Sequence, residues 1–218
     1  MAKGGSPASS SKGPPSTVAN SLSTAPSGFP SSVSYLTAPL PSPGLPKPLA
    51  SVYCAPCPPS LFPNPPPRLA IKSPTSPLCG QAGLFNAGSK AIPRGTWIRD
   101  YLGVVHLEKE ADSQSDYDLS LERHEDGEVV GIDATKRGNE ARFVNDYRGW
   151  AERPNAEFQL RSWEVKDGQG KVVGVGRRMA IYAGPRGVEK GAELCVSYGR
   201  GFWRERMKEG ENEEAEED

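Results

Sequence analysis

Prolines are concentrated in the first third of the chain. Residues 1–67 hold 17 of the 22 prolines in a sequence of 218 residues, and serine, glycine and alanine fill most of the positions between them. Because proline has no backbone N–H donor and a fixed φ, such a segment is a poor source of helices or sheet ladders. It also has little apolar surface to offset the entropy of ordering. We therefore predict a disordered Pro/Ser-rich region over residues 1–67, with polyproline-like pieces that suit either a spacer or an SH3-type ligand.

The pattern changes at Arg68. Short alternating or apolar runs such as "RLAIKS", "DYDLSLE" and "VVGIDA" are separated by glycines, and only "FWRERMKEG" has helical character. The segment "KDGQG" between two β-rich runs is typical of a hairpin, since Asp-Gly tolerates positive φ. The pattern predicts a mostly β domain over residues 68–204, which is large enough for one core. An acidic disordered tail is expected over residues 205–218.

Charge is distributed unevenly along the chain. Residues 1–99 carry eight Lys or Arg and no Asp or Glu, whereas residues 100–218 carry 18 basic and 27 acidic side chains. A folded domain with this excess of acid lacks the broad positive surface that phosphate backbones require, so we expect no direct binding of nucleic acid. No run of 18 apolar residues predicts a membrane span.

The N-terminus lacks the apolar segment of a secretory signal. We expect a nuclear or cytoplasmic protein. Organellar import is an alternative because the start is Ser-rich and free of acid, although it is poor in arginine.

Four cysteines are present, at Cys54, Cys57, Cys79 and Cys195. They are too few for a disulfide scaffold of this length. The segment "CAPC" has the spacing of a redox or zinc site, but a tetrahedral zinc site needs four ligands. No second CxxC exists and the two histidines are isolated in the sequence, so we expect no metal.

A set of short motifs follows in a fixed order within the β domain. They are "GLF" at residues 83–85, "DYLG" at 100–103, "RFVN" at 142–145, "RPN" at 153–155, "GAELCVSY" at 191–198 and "GFW" at 201–203. Together they resemble the SET domain family of protein lysine methyltransferases over residues 68–204. The resemblance implies a SET-type knotted fold of small β-sheets with few short helices, in which the C-terminal strand passes through the loop after R-F-x-N; such threading is rare in proteins.

The same resemblance implies a cofactor and a substrate. S-adenosyl-L-methionine would bind on one face of a narrow channel, and a protein or peptide carrying the target lysine on the other; we expect a monomer. Gln81 and Asp146 stand where the family has glycine and histidine. No cysteine follows Cys195 in this sequence, so we do not expect the zinc-binding cysteine cluster of many members. The residues assigned to cofactor binding are Gly83, Leu84, Phe85, Arg142, Phe143, Asn145, Asp146, Tyr198, Phe202 and Trp203.

Two tyrosines are the catalytic candidates. Tyr198 takes the place of the family's catalytic tyrosine, and Tyr101 would line the lysine channel. A tyrosine with a pKa near 10 is a poor base, so we expect both to orient the amine. Phe158 and Val196 are candidates for the substrate channel. In the family, a phenyl group beside the channel leaves room for higher methylation, whereas a hydroxyl holds a water that limits it.

Two functions remain open from the sequence. The retained Tyr101, Asn145 and Tyr198 favour an active protein lysine methyltransferase. The departures at Gln81 and Asp146, Ser197 in place of the family's aspartate, and the missing zinc cluster favour a non-catalytic SET-like module that binds protein or peptide. Binding of S-adenosyl-L-methionine discriminates between them.

Overall fold

The computed structural model describes residues 24–75 and 81–199. Over these residues the chain is mostly β, with small sheets, one α-helix and three short 3-10 helices, which confirms the fold class predicted from the sequence. Helix α1 is Lys47–Tyr53, and the 3-10 helices are Pro59–Leu61, Glu108–Glu110 and Glu140–Phe143. The strands are β1 (Ser34–Tyr35), β2 (Leu40–Pro41), β3 (Leu69–Lys72), β4 (Gly83–Asn86), β5 (Trp97–Asp100), β6 (Val104–Leu107), β7 (Asp118–Arg123), β8 (Val129–Asp133), β9 (Arg137–Gly138), β10 (Asn145–Asp146), β11 (Ala156–Lys166), β12 (Val172–Ala183) and β13 (Cys195–Val196).

Two sheets are larger than the rest. One has the strand order β2-β6-β8-β7 and the other β11-β12-β5, while β1–β9, β3–β4 and β10–β13 form two-stranded pairs. The predicted hairpin joins β11 to β12. Its turn is closed by the Asp167 carboxylate, which accepts the N–H groups of Gln169 and Lys171. The left-handed position of this turn is Gly170, with φ of 82°.

The C-terminal strand β13 is flanked by one continuous segment on two sides. On one side it pairs in parallel with β10, matching Asn145 with Cys195 and Asp146 with Val196. On the other side the Asn155 N–H donates to the Cys195 carbonyl, and the Cys195 N–H donates to Asn155 Oδ1. Residues 145–155 therefore surround β13, as expected of a loop through which this strand passes.

One apolar core lies beneath these sheets and supports the motif segments. Leu84, Ile98, Ile181, Leu194 and Val196 are each fully buried in it. Because β4, β5, β12 and the start of β13 each contribute to this one cluster, the motifs that carry the resemblance converge although they are distant in sequence.

The expected disorder of residues 1–67 is wrong for residues 24–67. Strand β1 pairs in parallel with β9, and β2 pairs in parallel with β6. Helix α1 packs against β12, and its Tyr53 is 1% exposed. The change of composition at Arg68 is therefore not a boundary between a tail and a folded unit, since this part of the arm is built into the domain. Residues 1–23 lie outside the described residues.

The arm is held through its carbonyl groups. Proline removes an N–H but keeps its C=O, and the domain supplies the donors: Trp163 Nε1 donates to the Pro56 carbonyl at 2.9 Å and Arg178 Nη2 to the Ala55 carbonyl at 2.8 Å. Pro41 lies in a two-residue edge strand, where a missing ladder donor is tolerated. Composition alone predicts the loss of donors but not the presence of these partners.

The predicted acidic tail and the helix-like "FWRERMKEG" lie outside the described residues. Within residues 24–75 and 81–199, no helix has the length and apolar character needed to cross a membrane.

Candidate active site

A cavity of about 380 Å³ lies beside the edge strand β7. Its wall combines aromatic rings from two of the motifs and from β11 with side chains from β7 and the segment before it. The lining residues are Tyr101, Asp116, Tyr117, Asp118, Leu119, Ser120, Arg142, Val144, Phe158 and Tyr198. Both predicted catalytic tyrosines and the predicted channel residue Phe158 therefore meet at one cavity.

The aromatic wall is fixed by contacts between rings and with the main chain. Tyr101 and Phe158 meet edge to face, with ring centroids 5.9 Å apart. The Tyr101 hydroxyl donates to the Tyr117 carbonyl at 2.8 Å, and the Tyr198 hydroxyl donates to the Val144 carbonyl at 2.7 Å. Since a hydroxyl that donates its proton still carries acceptor lone pairs, both oxygens suit an incoming N–H group.

Burial controls the ionisation of Tyr101. Its pKa is raised well above the usual value, mainly by removal from water and further by the neighbouring Tyr198 hydroxyl, with Arg142 opposing. Tyr101 therefore stays neutral at physiological pH. A neutral phenol positions a substrate amine but does not take its proton.

Arg142 and Phe143 are positioned differently from one another. The Arg142 guanidinium stacks on the Tyr117 ring at 3.7 Å, and its Nε donates to the Ala134 carbonyl, so the side chain forms part of the cavity wall. Phe143 packs in the core against Phe29. The resemblance predicts that both bind the cofactor. In this structure the Arg142 side chain forms part of the cavity wall and the Phe143 side chain packs in the core.

A second group of polar residues lies next to the cavity, where β4 meets the last motif. We call Gln81, Gly83, Asn145 and Glu193 the amide cluster. The Glu193 carboxylate covers Gly83 so closely that a Cβ there would lie 2.2 Å from Glu193 Oε1, so only glycine fits without displacement. Leu84 and Phe85 of β4 are buried beside it, and Leu194 N–H donates to the Leu84 carbonyl.

Asn145 is the centre of the amide cluster. Its Nδ2 donates to Glu193 Oε1 at 2.8 Å, and its Oδ1 accepts from Gln81 Nε2 at 3.0 Å. Asn145 and Glu193 are each 3% exposed. The sequence marked Asn145 as a cofactor ligand and Gln81 as a departure, but did not foresee that the two are hydrogen-bonded or that Glu193 joins them; the only signal for Glu193 is its place in the last motif.

Asp146 connects the amide cluster to Tyr198. Its Oδ2 accepts the Tyr198 N–H at 2.7 Å, and its Oδ1 accepts the Arg148 N–H at 2.8 Å. The Arg148 guanidinium contacts both carboxylate oxygens and balances their charge. The aspartate that replaces the family histidine thus supports the main chain of Tyr198.

The remaining predicted positions are separate from this site. Val196 is fully buried in the core as part of β13 and does not line the cavity. Phe202 and Trp203 lie outside the described residues.

In the described part of the chain, no group of three or more His, Cys, Asp and Glu is placed to hold a metal ion. Burial raises the pKa of the Cys54 and Cys57 thiols to about 11, which leaves both protonated at neutral pH.

A family model described as SET domain matches residues 87–199, slightly more than half of the chain. The protein therefore belongs to the SET domain family, whose members are generally protein lysine methyltransferases.

The solved structures that are similar to this chain include the following two. One is a crystal structure of KRYPTONITE in complex with mCHH DNA, H3(1-15) peptide and SAH, at 19% identity and a TM-score of 0.43, over 61% of this chain and 23% of that one. The other is ctPRC2 in an autoinhibited conformation bound to S-adenosylmethionine, at 21% identity and a TM-score of 0.44, over 67% of this chain and 17% of that one. This chain therefore corresponds to less than a quarter of either.

Proposed function

We propose that this protein transfers a methyl group from S-adenosyl-L-methionine to a lysine side chain of a protein or peptide. The observation that carries the proposal is the cavity in which Tyr101, Phe158 and Tyr198 meet on a SET fold. In this proposal the protein acts as a monomer in the nucleus or cytoplasm and does not bind nucleic acid directly. The substrate is a histone or another protein, and methyl transfer to histones and to cell extract distinguishes the two.

Edge strand β7 is the proposed docking position for the peptide. It is the outer strand of its sheet and contributes Asp118, Leu119 and Ser120 to the cavity wall. A peptide that adds to a free edge gains main-chain hydrogen bonds and places alternate side chains on one face. A lysine on that face would enter the cavity.

The outer part of the cavity carries acidic side chains that solvent reaches, whereas its inner part is lined by buried residues. Asp116 is exposed and Asp118 is half-buried, so their carboxylates would attract a protonated lysine from solvent. Tyr101 and Val144 are buried. A lysine with a free pKa of about 10.4 is almost entirely protonated at neutral pH, and removal from water disfavours the charged form. Transfer from the mouth to the depth therefore favours loss of the proton to solvent before reaction.

The tyrosine hydroxyls would then orient the neutral amine. Each hydroxyl donates its proton to a main-chain carbonyl, so its oxygen would act toward the amine as a hydrogen-bond acceptor. Directing the nitrogen lone pair along one line supplies much of the rate, because a well-oriented reaction avoids the entropy of alignment. The raised pKa of Tyr101 excludes it as the base.

The amide cluster fits the cofactor assigned by the family. When bound, S-adenosyl-L-methionine supplies an electrophilic methyl group. Gln81 Oε1 is buried without a hydrogen-bond partner among the described residues, which suits a ligand that carries donors. Asn145 joins Gln81 to Glu193 through its side-chain amide.

Two assays on the full chain test this proposal. Calorimetry with S-adenosyl-L-methionine measures cofactor binding, and labelled-methyl transfer to lysine peptides, histones and cell extract measures activity for the wild type and Tyr198→Phe. Binding with transfer that depends on Tyr198 supports the enzyme. Absence of cofactor binding ends that proposal and leaves the second candidate, a non-catalytic SET-like interaction module, which the departures at Gln81 and Asp146 favour.

A further inference from the structure

A second cavity, of about 660 Å³, lies at the end of strand β7 that is farther from the candidate active site. Three parts of the chain form its walls. Helix α1 of the proline-rich arm contributes Leu49 and Val52, the end of β7 and the following turn contribute residues 122–126, and β12 contributes Val175 and Arg177. We call this second cavity the arm groove, because the arm helix forms one of its walls.

One wall of the arm groove is fixed by a network of hydrogen bonds. The Tyr53 hydroxyl donates to Glu122 Oε2 at 2.7 Å, and the Arg177 guanidinium pairs with Oε1 of the same carboxylate. His124 Nε2 lies 3.1 Å from the Tyr53 hydroxyl oxygen. These contacts occupy both carboxylate oxygens of Glu122 and balance its charge, so this wall shapes the groove without attracting a charged ligand.

Two other carboxylates give the rim of the arm groove a negative charge. Glu125 and Asp126 are exposed in the turn after β7, and no Lys or Arg in the described part of the chain forms an ion pair with either. Arg123, the nearest cation in sequence, instead lies 3.8 Å from Glu108 Oε1. The rim therefore favours a basic ligand over an acidic segment such as residues 209–218 of this chain.

The side of the groove between α1 and β12 is apolar. Leu49 and Val52 are half-buried, Val175 is 45% exposed, and Val173, two residues earlier on β12, is 60% exposed. Adjacent aliphatic side chains that border a cavity are typical of a surface that binds a partner. A side chain with an aliphatic stem and a charged end, such as that of arginine or lysine, matches this apolar side and the negative rim together.

The arm groove is aligned with the cavity of the candidate active site. Residues 116–120 line the cavity and residues 122–126 line the groove, so the two stretches are offset by six residues along the chain. The β11–β12 hairpin has the same spacing: Phe158 lines the cavity, and Val175 of the groove lies opposite Glu164, six residues further along β11. In an extended peptide this offset is about 20 Å, and an even number of residues places both side chains on one face.

We propose that the arm groove binds a basic side chain of the substrate, at about six residues from the lysine in the cavity. This inference rests on the proposed function, in which a peptide docks along β7, and it makes the substrate a segment with two basic residues at that spacing. The stem of the basic side chain packs on Leu49, Val52 and Val175, and its charged end faces Glu125 and Asp126. The proline-rich arm then takes part in substrate choice through helix α1.

A set of peptides tests this inference with the full chain. Each peptide carries one lysine in a background of Gly, Ser and Ala, and one arginine that is moved a position at a time along both sides of the lysine. A matched set carries citrulline instead, which keeps the shape of arginine without its charge. Fluorescence anisotropy measures binding, and labelled-methyl transfer measures kcat/KM.

Two variants remove the features that define the groove. Glu125→Gln/Asp126→Asn, the rim variant, removes the two charges and keeps a side-chain acceptor at position 126. Val175→Thr makes the apolar side polar at nearly constant shape. Glu157→Gln/Asp167→Asn is the matched control, because both carboxylates are exposed and neither lines the cavity or the groove. Circular dichroism melts confirm that each variant is folded.

The expected result is a preference that depends on position and on charge. Wild type and control should favour arginine over citrulline by roughly three- to ten-fold, at about six residues from the lysine and on one side only. The rim variant should lose this preference and bind the citrulline peptide as the wild type does, whereas Val175→Thr should weaken both peptides.

Three outcomes separate this inference from the proposed function. Absence of a positional preference, or a preference that survives in the rim variant, overturns the inference. The same preference in binding without methylation of any peptide supports the groove and ends the proposed methyl transfer. A wild-type dimer in light scattering that Val175→Thr dissociates would mean that a second copy of the chain occupies the groove, which also overturns the inference.

Discussion

The cavity and the amide cluster lie side by side on the same fold, but they are built differently. The cavity keeps the aromatic residues that the family resemblance predicts, and its two tyrosine hydroxyls are fixed by main-chain carbonyls. The amide cluster contains a departure from the family, Gln81, and is held by contacts between side chains. A second departure, Asp146, lies between the two regions and accepts the Tyr198 N–H.

Because the cavity is held by main-chain groups and the amide cluster by side chains, the two regions should tolerate substitution differently. A hydroxyl that donates to a carbonyl depends on backbone position, so neighbouring side chains can vary without moving it. An arrangement of side chains depends on the identity of each member. We therefore expect substitutions in the cavity to change the reaction and its product, and substitutions in the amide cluster to change cofactor affinity.

The largest effect is expected for Tyr198→Phe. This change removes a hydroxyl oxygen that orients the amine, and because a misplacement of about 1 Å can lower a rate by about 100-fold, we expect a loss of that order in methyl transfer. Cofactor affinity should be unchanged. Transfer is measured by mass spectrometry and affinity by calorimetry, with Tyr182→Phe on β12 as the control because Tyr182 does not line the cavity. An equal fall in affinity and rate would place Tyr198 with the cofactor instead.

Asp146→Ala is expected to affect stability and rate together. The variant leaves the Tyr198 N–H and the Arg148 guanidinium without their acceptor, which should lower the free energy of unfolding by about 1–3 kcal/mol. Loss of support at Tyr198 should also lower kcat. Urea unfolding and transfer assays measure the two effects.

Asp167→Ala is the matched control for that prediction. Asp167 also accepts two main-chain N–H groups through its carboxylate, but it lies in the exposed hairpin turn. We expect it to lower stability without changing kcat relative to the wild type. Asp146→His should recover activity if the position needs only a hydrogen-bonding side chain. Full activity of a folded Asp146→Ala would show that the carboxylate does not position Tyr198.

Residues 68–199 were largely predictable because their signals are local. Glycine-bounded β runs, the "KDGQG" turn and the order of the motifs indicated the fold, and Tyr101, Phe158 and Tyr198 do meet at one cavity. Val196 was misplaced because alternation along a two-residue strand does not show which face meets the cavity and which meets the core.

The features that were not predicted depend on partners distant in sequence. The proline-rich arm is ordered because Trp163 and Arg178 donate to its carbonyls from more than 100 residues away. Glu193 limits the space at Gly83 from a similar distance. Composition shows which hydrogen-bond donors a segment lacks, whereas its folding depends on the donors and packing surfaces that the rest of the chain supplies.

Phe158→Tyr should change the product more than the rate. Phe158 lines the cavity and packs edge to face on Tyr101, so an added hydroxyl would reach into the space that the methylated amine needs. We expect fewer methyl groups per lysine, with cofactor affinity unchanged. Mass spectrometry of the product peptide measures the distribution. Phe62→Tyr, in the arm beside Trp97, is the control. An unchanged distribution would remove Phe158 from the residues that limit methylation.

The smallest effect is expected from pH acting on one wall of the cavity. His106 Nε2 lies 3.2 Å from Oδ1 of Asp118, a cavity residue, and this hydrogen bond raises the His106 pKa, although burial opposes the shift. Asp133 and the Leu107 carbonyl act in the same direction. Because the folded pKa exceeds the unfolded value of about 6.5, the stabilisation is present in full below that value and is lost as pH rises through the folded pKa.

The pH dependence of unfolding in urea tests this pair. Asp118→Asn should destabilise the fold near pH 5.5, and the difference from the wild type should shrink as the pH approaches 8, since neutral His106 gains little from the carboxylate. Transfer assays at the same pH values show whether the pair affects the cavity as well as stability. A constant difference between wild type and variant across this pH range would mean that His106 does not titrate with Asp118, and the pair would then be a neutral hydrogen bond in the cavity wall.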